Sequence, residues 1–326
     1  MSLAYLFRLA CLCLAVFFLV QLALGSVTRA MAPWAIQFAA RLRPPLAARF
    51  LFILRLLPAG AAVSAVCALC LPSYLWFEPQ SGAESVGIAC AAAAAFGAAL
   101  WAISLYRVLH ASAGSLHCAW RWRRFGRQFL LPENGSEVLV IEENAPLLAL
   151  SGIFHSRLVA SRGVIRALSS EQLSAALLHE RAHRVSCDNL KRLLLLLAPD
   201  IFPFVRALPS LERAWSRLTE WAADDRAVEG NAHRSLALAE ALVRVSRIGA
   251  SPRPSPFLST LVPDDADLFA RVNRLLQPCR APENSRRPIQ FFVAGTTLAL
   301  AGLLLTILLQ PSTFYTVHRL LEHLVR

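Results

Sequence analysis

Four apolar stretches, at about 3–25, 50–77, 84–106 and 289–310, set the main constraint on how this chain of 326 residues can fold. Each is long enough to cross the hydrocarbon layer of a bilayer as a helix, which takes about 20 residues. In hydrocarbon only helices and closed barrels satisfy their own backbone groups. Hydrophobic residues make up 56% of the chain, and spans are where that surplus belongs. The second stretch contains Arg55, Pro58 and Pro72, which blur its ends, and Arg55 can snorkel toward the interface. The third is alanine-rich with Gly87 and Gly97, a composition suited to close helix packing in lipid. The first follows Arg8 and ends near Ala23-Leu24-Gly25, which resembles a signal-peptide cleavage site. Because further spans follow, it is read as a retained span.

Charge orients these spans. Arg29, Arg41, Arg43 and Arg49 lie between the first two, whereas Glu78 and Glu84 lie between the second and third. Arg107, Arg121, Arg123, Arg124 and Arg127 follow the third. The positive-inside rule then places 107–288 in the cytoplasm, both termini outside, and 311–326 as a short extracytoplasmic tail. The net charge is +12, with Lys191 the sole lysine. The arginines are spread along the chain and flank apolar stretches, so they fit anchoring at the bilayer surface and no direct nucleic-acid binding is expected. Arg121-Trp122-Arg123-Arg124 mixes basic and aromatic residues beside a span and is read as an interfacial anchor. Cys11, Cys13, Cys67, Cys70 and Cys90 lie within apolar stretches and are read as small hydrophobes, the Cys67–Cys70 spacing included.

The 107–288 region is the folded module outside the spans. Strands are expected at 137–142 and 157–161. Ser169-Ser170-Glu171-Gln172 opens a helix through His183. Leu190–Val205 is apolar but broken by Pro199, Asp200 and Pro203, too interrupted to span, and is expected to pack beside the membrane. Helices are expected at about 211–229, 233–248 and 267–276, with a proline-rich break at 251–256.

The chemistry lies in His179-Glu180-Arg181-Ala182-His183. Residues four apart share a helix face, so both imidazoles can reach one ion. Zinc accepts imidazole nitrogen, and catalytic sites use three protein ligands and keep a fourth position open. Glu180 is then placed to act as general base on a zinc-held water and to return the proton to the leaving amine. Chance produces this motif on the order of once in a hundred such chains. Glu220-Trp221-Ala222-Ala223-Asp224 supplies a third ligand, Glu220, and a carboxylate, Asp224, able to take the free N–H of a ligating histidine.

These segments resemble the BlaR/MecR-type membrane zinc metallopeptidases and, more distantly, the HtpX and CAAX-prenyl-type gluzincins. The resemblance is carried by Leu150–Val159, His179–His183 followed by Asp188 and Leu190, Glu220–Val228, Ala239–Leu242 and Arg271–Leu275. It implies a mainly α membrane protein of about four spans with an α+β zincin-like cytoplasmic domain. Residues 1–106 would hold three spans, 107–288 the peptidase domain and 289–310 the fourth span. It also implies one zinc per chain, a protein or peptide substrate such as a transcriptional repressor, and a place in the bacterial inner membrane. Position 181 is Arg where relatives often carry Leu, a position off the metal face. The family's antibiotic sensors carry an outer domain after the fourth span, whereas 311–326 follows it here, so direct β-lactam sensing is not expected.

Other residues have two readings each. Asp188 could hydrogen-bond a neighbouring histidine or serve structure alone. His233 could stabilise an oxyanion, and His155 could line the substrate edge or the surface. The competing functions are an active endopeptidase, a non-catalytic membrane signalling or scaffold protein, and an HtpX-like quality-control protease.

Overall fold

The computed structural model describes residues 3–77, 86–131, 136–142, 147–153, 156–201, 207–248, 258–260, 265–277 and a few positions between 310 and 320. The 289–310 stretch, the 251–256 break and His155 lie outside the described residues. The fold is mostly helical with a small sheet. Helix α1 spans Leu3–Ala39 and α2 Pro44–Ala65; a π-helical turn, Val66–Cys70, leads into α3, Leu71–Phe77, and α4 spans Ile88–Phe125.

Three helical rods, Leu3–Ala39, Pro44–Phe77 and Ile88–Phe125, are long and apolar enough to cross a membrane. The 37 residues of α1 measure roughly 56 Å at 1.5 Å per residue, well beyond a hydrocarbon core of about 30 Å. The first two expected spans therefore sit inside longer helices, and the third lies in α4 from Ile88 onward. The expected loop between the first two shrinks to residues 40–43, and α4 continues to Phe125, past the expected boundary at 106. Hydropathy falls after residue 25, but Ala, Leu, Arg and Gln are good helix formers, so the helix does not end where the apolar stretch does. Proline in the first turn of α2 needs no backbone donor and suits a helix start.

Many inward positions of this bundle are small, beside the larger Leu12, Phe17 and Leu51. Ala15, Ala32, Ala35, Ala39, Ala47, Ala62 and Ala94 face inward, whereas Leu3, Phe7, Trp34, Ile53, Ile88, Phe96 and Leu105 face outward. In lipid nothing drives large apolar groups inward, and small residues let backbones approach. At Gly97 on α4 a methyl group would run into the Leu14 carbonyl of α1, so the two helices meet backbone to backbone there.

The sheet follows. Strands β1 (Arg127–Leu131), β2 (Ser136–Ile141), β3 (Leu148–Ser151), β4 (Arg157–Ser161) and β5 (Leu258–Thr260) lie in the order β1-β2-β4-β3-β5. Only β2 and β4 are parallel, in register Val138 to Leu158; the other neighbours are antiparallel. The two strands expected from sequence are β2 and β4, and β1, β3 and β5 are additional. The remaining helices are α5 (Arg162–Ala167), α6 (Ser170–Ser186), α7 (Asp188–Leu197), α8 (Ala207–Val228), α9 (Ala232–Ile248) and α10 (Asp265–Leu276). The expected helices at 211–229, 233–248 and 267–276 correspond to α8, α9 and α10, with α8 and α10 starting earlier. The core joins Val138, Leu150 and Leu158 of the sheet to Leu173, Ala176 and Leu177 of α6 and to Leu238 and Leu242 of α9. Helix α6 is thus fixed between the sheet and α9.

Helices α7 and α8 both meet the long rods. Gln21 Nε2 donates to the Pro199 carbonyl at 2.8 Å, and Arg55 Nε donates to Glu212 Oε1 at 3.0 Å. Ala35, Ala47 and Leu51 of α1 and α2 pack with Leu195 of α7 and Leu211, Trp215 and Leu218 of α8.

Candidate metal centre

The site begins with the start of α6. Ser169 Oγ accepts from the Gln172 backbone N–H, and the Gln172 side chain accepts from the Ser169 N–H, a capping box that fixes the first turn. Ten residues on, His179 and His183 project from one face, both fully buried, with Glu180 buried between them in sequence. The helix stops at Cys187, whose φ of 54° turns the chain into α7.

Glu220, from α8, closes a triangle with the two imidazoles. The two Nε2 atoms lie 3.1 Å apart, and Glu220 Oε2 lies 3.4 Å from His179 Nε2 and 3.6 Å from His183 Nε2. Zinc bonds to nitrogen and oxygen run about 2.0–2.1 Å in tetrahedral sites, which puts neighbouring ligand atoms about 3.3–3.4 Å apart. The triangle has the size of one face of such a tetrahedron. Glu220 Oε2 is buried and accepts no hydrogen bond among the described residues. Its charge is met by Arg271 Nη1 at 3.2 Å, but a hydrogen-bond position stays open, which an ion on the triangle would fill. The residues therefore fit zinc, and His179, His183 and Glu220 are the ones that could hold it.

Carboxylates turn both rings. His179 Nδ1 lies 2.9 Å from Asp224 Oδ1, and His183 Nδ1 lies 2.8 Å from Asp188 Oδ2. With Nδ1–H donating to a carboxylate, each Nε2 is left as the free lone pair facing the triangle. Lys191 Nζ donates to the other oxygen of Asp188 at 2.8 Å. Asn189 Nδ2 donates to the Leu150 and Gly152 carbonyls at 3.2 and 2.8 Å, tying the start of α7 to the end of β3.

Arg271 was not among the candidates read from sequence. It comes from α10 and is 1% exposed. Its Nε and Nη2 donate to the two Asp224 oxygens at 2.9 and 2.7 Å, and its Nη1 lies 3.2 Å from Glu220 Oε2. A signal existed: Arg271 falls on the same stripe of α10 as Leu268, Val272 and Leu275, which pack into the core. A charge on an apolar stripe needs a buried partner. Arg192 Nη2 stands 3.7 Å from the other oxygen of Glu220.

The electrostatics favour positive charge at the triangle. Burial works against the charged form of His183, but the facing Glu220 and the Asp188 bond override it and raise its pKa to about 10. Burial likewise opposes ionisation of Glu220 and Asp224. His183, His179 and Arg271 hold Glu220 well below the usual carboxylate range, and Arg271 and His179 hold Asp224 at about 2. Glu180 moves the other way, pushed up to about 7 by burial while both histidines oppose the shift. Neither of its oxygens has a hydrogen-bond partner among the described residues.

The structure thus brings together His179, His183, Glu220, Glu180, Asp224 and Asp188. It does not bring His233 into the cluster: that ring is 70% exposed at the start of α9, 3.6 Å from Glu171. Asp225 pairs with Arg274 near the surface, and Arg181 is exposed. No protein-family model matches the chain and no curated protein matches it, so the family resemblance rests on the motif residues alone.

Proposed function

We propose that the chain is a membrane-anchored zinc metalloendopeptidase, with the metal on His179, His183 and Glu220 and Glu180 as general base. The observation that carries this reading is the triangle of ligand atoms with edges of 3.1, 3.4 and 3.6 Å, beside the buried Glu180, whose two oxygens have no hydrogen-bond partner among the described residues. When bound, zinc supplies Lewis acidity, polarising a peptide carbonyl and making water easier to deprotonate. The protein does the rest. Asp224 and Asp188 hold the two imidazoles in one tautomer. Glu180 accepts the proton of the attacking water and hands it to the leaving amine. A purely structural metal site has no use for a buried, unpartnered glutamate one residue from its first ligand, which favours an enzyme over a scaffold.

Three apolar rods supply the anchor, and the arginine distribution supports a cytoplasmic 107–288 region in a bacterial inner membrane. The substrate is a protein or peptide. Regulatory cleavage of a repressor is the form that the motif resemblance favours, and membrane-protein quality control is the alternative.

The test compares membrane and soluble proteomes of cells expressing the native chain or Glu180→Gln, then assays the substrate found. Gln is nearly isosteric and is not a ligand, so zinc content should be unchanged while cleavage falls about 10²–10⁴-fold. Native-rate cleavage by zinc-loaded Glu180→Gln would remove the peptidase mechanism and leave the scaffold.

A further inference from the structure

We infer that Arg271 is a positioning residue of this centre, acting on the metal through Asp224 and making α10 a working part of the site. The inference rests on the zinc reading of the triangle. Three observations lead to it. Arg271 is fully enclosed, 1% exposed, on a helix whose other inward residues are apolar. It grips Asp224 through a two-bonded fork at 2.7 and 2.9 Å. Asp224 in turn lies 2.9 Å from the Nδ1 of His179, whose Nε2 belongs to the triangle. Arg271 therefore reaches the triangle through Asp224 and His179, and it also borders the triangle directly, its Nη1 3.2 Å from Glu220 Oε2 and its Nη2 3.4 Å from His179 Nε2.

A cation beside a metal site also repels the metal. Here the guanidinium is forked onto Asp224 and also stands 3.2 Å from Glu220 Oε2, so two carboxylates offset its charge and the ion does not face a bare cation. What remains is orientation. Without the fork, Asp224 is a buried carboxylate whose plane, among the described residues, only His179 fixes. It can then rotate, and rotation frees the imidazole. Arg271 therefore strengthens metal binding. Lysine cannot replace it fully, because an ammonium is a point charge without the planar fork. Helix α10 is itself held on the site by Ser235 Oγ donating to the Leu275 carbonyl at 2.6 Å and by Arg274 reaching Asp225, so the fork is presented from a fixed frame.

The experiment uses the purified full chain in detergent and measures zinc affinity by competition with a chromophoric chelator. Thermal unfolding of the metal-free proteins is followed in parallel. Arg271→Met should bind zinc about 10–100-fold more weakly than native, the usual effect of losing an outer partner of a metal ligand. Arg271→Lys should fall between the two. Asp224→Asn should lose a similar factor, and the Asp224→Asn/Arg271→Met pair should lose clearly less than the product of the two single losses, because they share the route through Asp224 and His179. The double variant removes both charges together, so it carries the test if Arg271→Met, with Asp224 left unpaired, does not fold. Native affinity in folded Arg271→Met, or in the double variant, would overturn the inference while leaving the zinc site standing. So would a double loss equal to the product of the two single losses. A native chain that binds no zinc would overturn the zinc reading and this inference together.

Discussion

Asp188 shows what one residue decides in this site. Its carboxylate is 2% exposed and holds the His183 ring at 2.8 Å while Lys191 holds its other oxygen. Asp188→Asn keeps the shape but can present an N–H where His183 needs an acceptor. We expect zinc affinity to fall about 10–100-fold with the fold intact. Chelator competition on the purified variant checks this, and an unchanged affinity would show that His183 needs no anchor. The residues of the triangle were readable in the sequence because a helix turns local spacing into geometry: His179 with His183, and Glu220 with Asp224, are pairs four apart. For Asp188 the sequence left two readings open, and the structure adds the bond to His183. Arg271 could not be placed by spacing. It lies 92 residues from His179, and only the packing of α10 brings the two together.

At the scale of elements, the site depends on how α8 is held. Its first half packs on α2 and its second half carries Glu220 and Asp224. Arg55 is 3% exposed and pairs with Glu212, whose side chain is 33% exposed. The two ends of that pair are therefore unequal. Glu212→Gln leaves a charged guanidinium enclosed with a weaker acceptor, at a cost of about 1–3 kcal/mol. Arg55→Met leaves a carboxylate that can turn to water, and should cost less. Thermal melts of both variants in detergent should show this order, and the reverse order would mean that Arg55 is wetter than its burial implies. Sequence patterning located α6, α8, α9 and α10 because caps and periodicity are local. It did not find β1, β3 or β5, since short strands are defined by partners distant in the chain. The extents of α1 and α4 were also missed, because hydropathy marks where lipid ends and not where a helix ends.

At the scale of the molecule, the described residues form three long apolar rods and a mostly helical part with a small sheet, and the proposed orientation follows from charge alone. Reporter fusions at position 80 and at the C-terminus should both report the outer side, and a cytoplasmic signal at position 80 would reverse the topology. The proposed chemistry requires that a single ion bind where α6 and α8 converge. It is tested most directly by metal analysis of the purified full chain alongside His183→Ala. We expect about one zinc per native chain, lost from His183→Ala because one of three ligands is gone. A native chain without zinc, or a variant that retains its full complement, would contradict it.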